Sequence, residues 1–95
     1  MNDNDTISRR SQAYLRVMET LRELGESKLL EAERDALREA CDALIFSEGH
    51  AASALRDATS ICENLAESGR WRPSRACSLL AAIEGCADPE LLAAV

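Results

Sequence analysis

Residues 28–46 read KLLEAERDALREACDALIF, and the placing of apolar against charged residues in this stretch decides the fold. Leu30, Leu37, Cys41 and Leu44 form the core row, Leu29, Ala36, Ala40 and Ile45 widen it, and Glu31, Asp35, Arg38 and Asp42 form the wet row. A repeat of about 3.6 residues gathers such positions on one face of an α-helix, whereas a half-buried strand would alternate at every second residue. The stretch is therefore read as an amphipathic helix over about 28–46, with Ser27 as its N-cap.

The same spacing extends in both directions. Upstream, Ile7, Tyr14, Leu15, Met18, Leu21 and Leu24 recur every three or four residues along one face, the core-facing one, and predict a helix over about 8–24. Gly25 closes it, because glycine enters the left-handed conformation without a Cβ clash. Residues 1–6 read as a flexible acidic N-terminus. Downstream, Ser47-Glu48-Gly49-His50 interrupts the pattern. A third helix follows over about 51–68, with Ala51, Leu55, Ala58, Cys62 and Leu65 inward and Arg56, Ser60, Glu63 and Glu67 outward. Gly69 ends it, Pro73 opens a fourth helix to about 86, and Asp88-Pro89-Glu90 starts a short turn over 89–95.

Short links between four amphipathic helices predict one all-α domain over 7–95. Its architecture is a small antiparallel four-helix bundle with a short C-terminal helical turn, the alternative being an orthogonal helical array. The composition agrees: 46% hydrophobic residues suffice for a core, and 3% aromatic residues leave it to Leu, Ala, Ile, Val, Met and Cys. A formal charge of −6 opposes nucleic-acid phosphates and anionic membranes, making nucleic acid an unlikely partner and a membrane none. The polar, acidic start is not a secretory signal, so the expected location is cytoplasmic and the expected state of the four cysteines is reduced.

Chemistry-bearing groupings are sparse. No cysteine pair has CxxC spacing, the single His50 sits in a connection, and no cofactor or metal is implied. Cys41 and Cys62 read as core residues. The register of an antiparallel hairpin makes Cys62 and Cys77 the least strained candidate bridge. The acids of the second helix read as its solvated face rather than a catalytic pair, so the chain is read as a non-enzyme.

Three surfaces remain. The corner SGRWRPSRACS, residues 68–78, gathers Arg70, Trp71, Arg72 and Arg75, an anion or nucleic-acid candidate in which the indole would stack on a base. The competing reading is a plain helix corner, with Trp71 folding back on Ala76 or Cys77 as a hydrophobic staple. Cys77, near Arg75 at a helix start, is the candidate for a reactive thiol in a redox sensor. The sequence from Ala76 onward is charged only at Glu84, Asp88 and Glu90. Leu79, Leu80, Ile83, Leu91, Leu92 and Val95 there are candidates for contact with a protein partner or a second copy. The resulting expectation is an interaction or adaptor module that self-associates through this apolar segment, with a nucleic-acid-linked regulator and a thiol sensor as alternatives.

Overall fold

The computed structural model describes residues 3–23 and 29–94. Its helices are α1 (Asp3–Glu23), α2 (Glu31–Ile45), α3 (Ala51–Glu67), α4 (Pro73–Glu84) and the short α5 (Pro89–Ala94), with no strand among the described residues. Each of the first three helices packs on the next, α1 closes the ring against α4, and α2 meets α4 across the middle. The all-α bundle expected from the sequence is thus the observed fold. Arg10 of α1 touches the end of α2 while Met18 and Arg22 lie beside Arg34 and Arg38 near its start, so these two helices run antiparallel. No helix among the described residues is long and apolar enough to cross a membrane.

Two helix starts differ from expectation. α1 begins at Asp3 rather than near Ser8, so part of the stretch read as an acidic tail is helical. Acids at the positive end of the helix dipole favour that extension. α2 begins at Glu31, because Leu30 is extended (φ −67°, ψ 150°) and its N–H donates to the Glu33 carboxylate at 3.0 Å. The proposed Gly25 stop, the Ser27 N-cap and Leu24 lie outside the described residues.

The core takes its aliphatics from every side: Val17 and Leu21 from α1, Leu29 before α2, Leu37 and Leu44 from α2, Leu65 from α3 and Ile83 from α4. Burying each such side chain contributes about 1.5–3 kcal/mol relative to exposure. Three assignments to this core are corrected. Leu15 is 64% exposed, because α1 turns the row Arg10, Tyr14, Val17 and Leu21 toward its neighbours and leaves Leu15 outside. Ile7 is 58% exposed, because one turn before Arg10, whose guanidinium already takes the last carbonyls of α2, the inward row of α1 is no longer covered. Leu30 is 57% exposed, the extended N-cap turning it away while Leu29 enters the core.

Polar contacts fix how α1 sits. Arg10 Nε donates to the Cys86 carbonyl at 2.9 Å, and Nη2 donates to the Leu44 and Ile45 carbonyls at 2.8 and 3.2 Å and to Ser47 Oγ at 3.4 Å. One turn on, the Tyr14 hydroxyl donates to Asp42 Oδ1 at 2.6 Å. That bond, with burial, pushes the tyrosine pKa up to about 12. Close packing against α4 is equally specific, since a Cβ added at Gly85 would stand 3.0 Å from Ala13 Cβ and 3.2 Å from the Ala82 carbonyl.

Arg10 also braces a strained turn. Ser47 adopts a positive φ of 51°, and the turn closes through Ser47 N–H to the Leu44 carbonyl at 3.2 Å and Glu48 N–H to the Ala43 carbonyl at 2.9 Å. This is a Schellman closure with serine where glycine is usual, at a cost of about 1–2 kcal/mol. Replacing Arg10 with Met keeps the aliphatic stem but deserts these acceptors, so urea unfolding should show a loss of about 2–3 kcal/mol. Arg10→Lys retains the charge without the fork and should fall between the two.

Candidate functional site

The corner between α3 and α4 is built by backbone geometry first. Gly69, at φ +78°, turns the chain out of α3, its N–H donating to the Ala66 carbonyl at 3.2 Å, and Trp71 N–H then donates to the Leu65 carbonyl at 3.1 Å. Arg72 is extended and Pro73 occupies the first helical position of α4, as the sequence suggested. The surrounding cavity of about 490 Å³ is lined by Ala66, Gly69, Arg70, Trp71, Arg72, Pro73 and Arg75.

Its chemistry is largely committed internally. Arg70 donates through both terminal nitrogens to Glu33, at 2.9 and 3.0 Å, and this fork holds the Glu33 carboxyl below its ordinary pKa. The same carboxylate accepts the Leu30 N–H, so it joins the start of α2 to the corner. Trp71 is only 6% exposed and belongs to the core that also holds Ala76, while the Arg75 guanidinium sits 5.2 Å from its ring centroid. The expectation of an indole open to a stacking base is thereby corrected: the ring is core material with a cation beside it. Arg72 is exposed.

The C-terminal candidates also separate. Leu79 and Ile83 are buried, which removes them from any contact surface in this fold. Leu80 and Leu91 are half-buried against the core. The side chains of Leu92 and Val95 lie outside the described residues. The apolar richness of α4 reflects its contact with α1, α2 and α3, and its outward positions include the small residues Cys77, Ser78 and Ala81.

All four thiols are free. Cys41, Cys62 and Cys86 are buried and Cys77 is exposed. The intimate pair is Cys41 with Cys86 rather than Cys62 with Cys77. A hydrogen bond to Cys86, together with burial, pushes the Cys41 thiol up, and Cys86 Sγ reaches the Ala82 carbonyl at 3.6 Å. Burial and the neighbouring Cys77 push Cys62 up to about 11. His50 sits at the start of α3, 3.6 Å from Glu39 and 3.5 Å from Glu48. No cluster of His, Cys, Asp and Glu able to hold a metal exists among the described residues.

Two features escaped the sequence reading. The first is an uncharged face of α1, made by Ile7, Ser8, Ser11, Gln12 and Leu15, all exposed. A run of helix positions i, i+1, i+4, i+5 and i+8 without a charge signals it, but Ile7 and Leu15 also fit the three- and four-residue apolar spacing that reads as an inward face. The second is a groove of about 440 Å³ between α1 and α2, lined by Met18, Leu21, Arg22, Arg34 and Arg38. Its arginines are scattered along the sequence, and only the packing of the two helices brings them together.

Glu33 contributes stability that is present above its unfolded pKa and lost as pH falls through its lowered folded pKa. The stability gap between the native chain and Glu33→Gln should therefore be widest near neutrality and close in acid, as read from melting temperature against pH. A thiol reagent should label Cys77 at once in the native protein and reach Cys41, Cys62 and Cys86 only on unfolding; immediate reaction of two or more thiols would contradict this burial pattern. Comparison with protein-family models, with curated proteins and with solved structures finds no match to this chain.

Proposed function

We propose that this chain is a non-enzymatic protein-interaction module of the cytoplasm that pairs with a second copy of itself through the outer face of α1. The observation that carries this reading is the exposed, uncharged stripe Ile7, Ser8, Ser11, Gln12 and Leu15 in a protein whose residues are 29% charged. Ile7 and Leu15 stand four residues to either side of Ser11. Two α1 helices crossing antiparallel at Ser11 therefore set Ile7 of each copy against Leu15 of the other, as a two-fold interface requires. Serine at the crossing point lets the backbones approach. Desolvating this stripe strips no ion of its water, and the two aliphatic pairs gain burial they lack in the single chain. Phe46, 70% exposed at the end of α2 beside the Arg10 contacts, extends the apolar area at the same end of the molecule.

The test is solution mass by light scattering. The native chain should approach twice its 10.4 kDa mass as concentration rises, and Leu15→Glu, an exposed change that leaves the helical circular dichroism intact, should hold it at the monomer mass. With Cys77→Ser in the background, Ser11→Cys should cross-link two chains under mild oxidation. A native chain that stays monomeric at high micromolar concentration, or a dimer indifferent to Leu15→Glu, would overturn the reading.

A further inference from the structure

The fold brings two nucleophilic side chains into direct contact inside the core. Cys41 of α2 and Cys86, in the link between α4 and α5, are both fully buried. Arg10 sets their approach: its fork takes the Cys86 carbonyl at 2.9 Å and the Leu44 carbonyl at 2.8 Å, and Leu44 stands about one turn after Cys41 on α2. The Cys41 thiol donates to Cys86 Sγ, and the Cys86 thiol donates onward to the Ala82 carbonyl at 3.6 Å. The two sulfurs therefore belong to one hydrogen-bonded chain, although their residues are far apart in sequence.

We infer that Cys41 and Cys86 form a dithiol site that a hydroperoxide oxidises to an internal disulfide, with Cys86 as the attacking sulfur. The two thiols differ as such a pair requires. The bond from Cys41 holds the Cys86 thiol below its ordinary pKa, the Arg10 guanidinium acting in the same direction against burial. The same bond, with burial, pushes Cys41 up, so the proton stays on Cys41 while Cys86 supplies the thiolate. That thiolate attacks one peroxide oxygen and breaks the O–O bond; the other oxygen leaves as an alkoxide that takes up the Cys86 proton, and Cys86 becomes a sulfenic acid. Cys41 sulfur then attacks Cys86 sulfur, and the hydroxyl group departs with the Cys41 proton as water. The peroxide is reduced by two electrons to an alcohol and water, and the two thiols are oxidised to one disulfide. Closing from hydrogen-bond contact to an S–S bond of about 2.05 Å falls on the link between α4 and α5, where Cys86 stands outside regular helix. Burial selects the oxidant: bulky thiol reagents are kept out, whereas a small hydroperoxide enters through local opening of that link. Both sulfurs lie in the core and the stripe on α1 faces solvent, so the site does not rest on self-association.

The probe is hydrogen peroxide, added to the folded full chain carrying Cys77→Ser, which removes the exposed thiol and leaves the core pair. Free thiols are then counted by alkylation under unfolding conditions. Two thiols should be lost, the product should run as a single chain on a non-reducing gel, and peptide mapping should join Cys41 to Cys86. Dithiothreitol should restore both thiols. Cys41→Ser should halt the reaction at a Cys86 sulfenic acid that dimedone traps, and Cys86→Ser should slow oxidation of Cys41 at least about tenfold, because the remaining thiol holds its proton. The mapping needs no substitution in the core and so decides the case even where a core variant fails to fold. Three intact thiols after millimolar peroxide, a bridge that includes Cys62, a bridge formed only in urea, or undiminished oxidation of Cys41 in folded Cys86→Ser would overturn the assignment.

Discussion

The position of α1 depends on one guanidinium. Arg10 reaches the terminal carbonyls of α2 and the Cys86 carbonyl just beyond α4, and so joins three segments far apart in the chain at one point. Helix C-termini carry the negative end of the backbone dipole and carbonyls without intrahelical donors, so a cation with a rigid fork satisfies charge and hydrogen bonding together. Once Arg10 faces inward, helical periodicity carries Tyr14, Val17 and Leu21 inward with it. The outer face of α1 follows as a consequence: Ser11 and Leu15 are left to solvent, and Arg22 is placed across from Arg34 and Arg38.

This dependence explains which parts of the fold were legible in the sequence. α2 and α3 could be read from their apolar rows because their wet faces are charged and leave one choice of register. α1 offered two. Tyr14 with Leu15 and Val17 with Met18 are adjacent apolar pairs, so rotating the helix by about one residue, roughly 100°, exchanges one inward row for another at similar apolar burial. The polar anchors Arg10 and Tyr14 settle the register, and their acceptors lie 28 or more positions away in sequence. Ser47 was obscure for a related reason: a helix stop without glycine carries no local signature, and the bonds that hold it come partly from α1.

The candidate sites show the same division between local and distant information. Gly69 and Pro73 are local signals, and the corner they mark stands where the sequence put it. The state of the corner's side chains is not local. Arg70 looks available until Glu33, 37 positions away, is brought against it, and Trp71 reads equally as a stacking aromatic or a folded-back staple until the core closes over it. The C-terminal apolar run misled in the opposite sense, since a short helix touching three neighbours needs apolar residues on much of its circumference to fill the bundle. Richness in Leu and Ala there reports packing demand, which a single sequence cannot distinguish from an exposed contact surface.

The arginines at the corner between α3 and α4 are largely taken up by the fold itself. At the corner most of what would make a binding site is already engaged in folding: Arg70 with Glu33, Arg75 beside Trp71, and the indole in the core, with Arg72 the exposed remainder. Removing those partners would expose a competent anion site but cost the structure that displays it. The groups that make the corner conspicuous in the sequence are the ones the fold draws on, so the cluster reports how α3 is joined to α4 and to the start of α2.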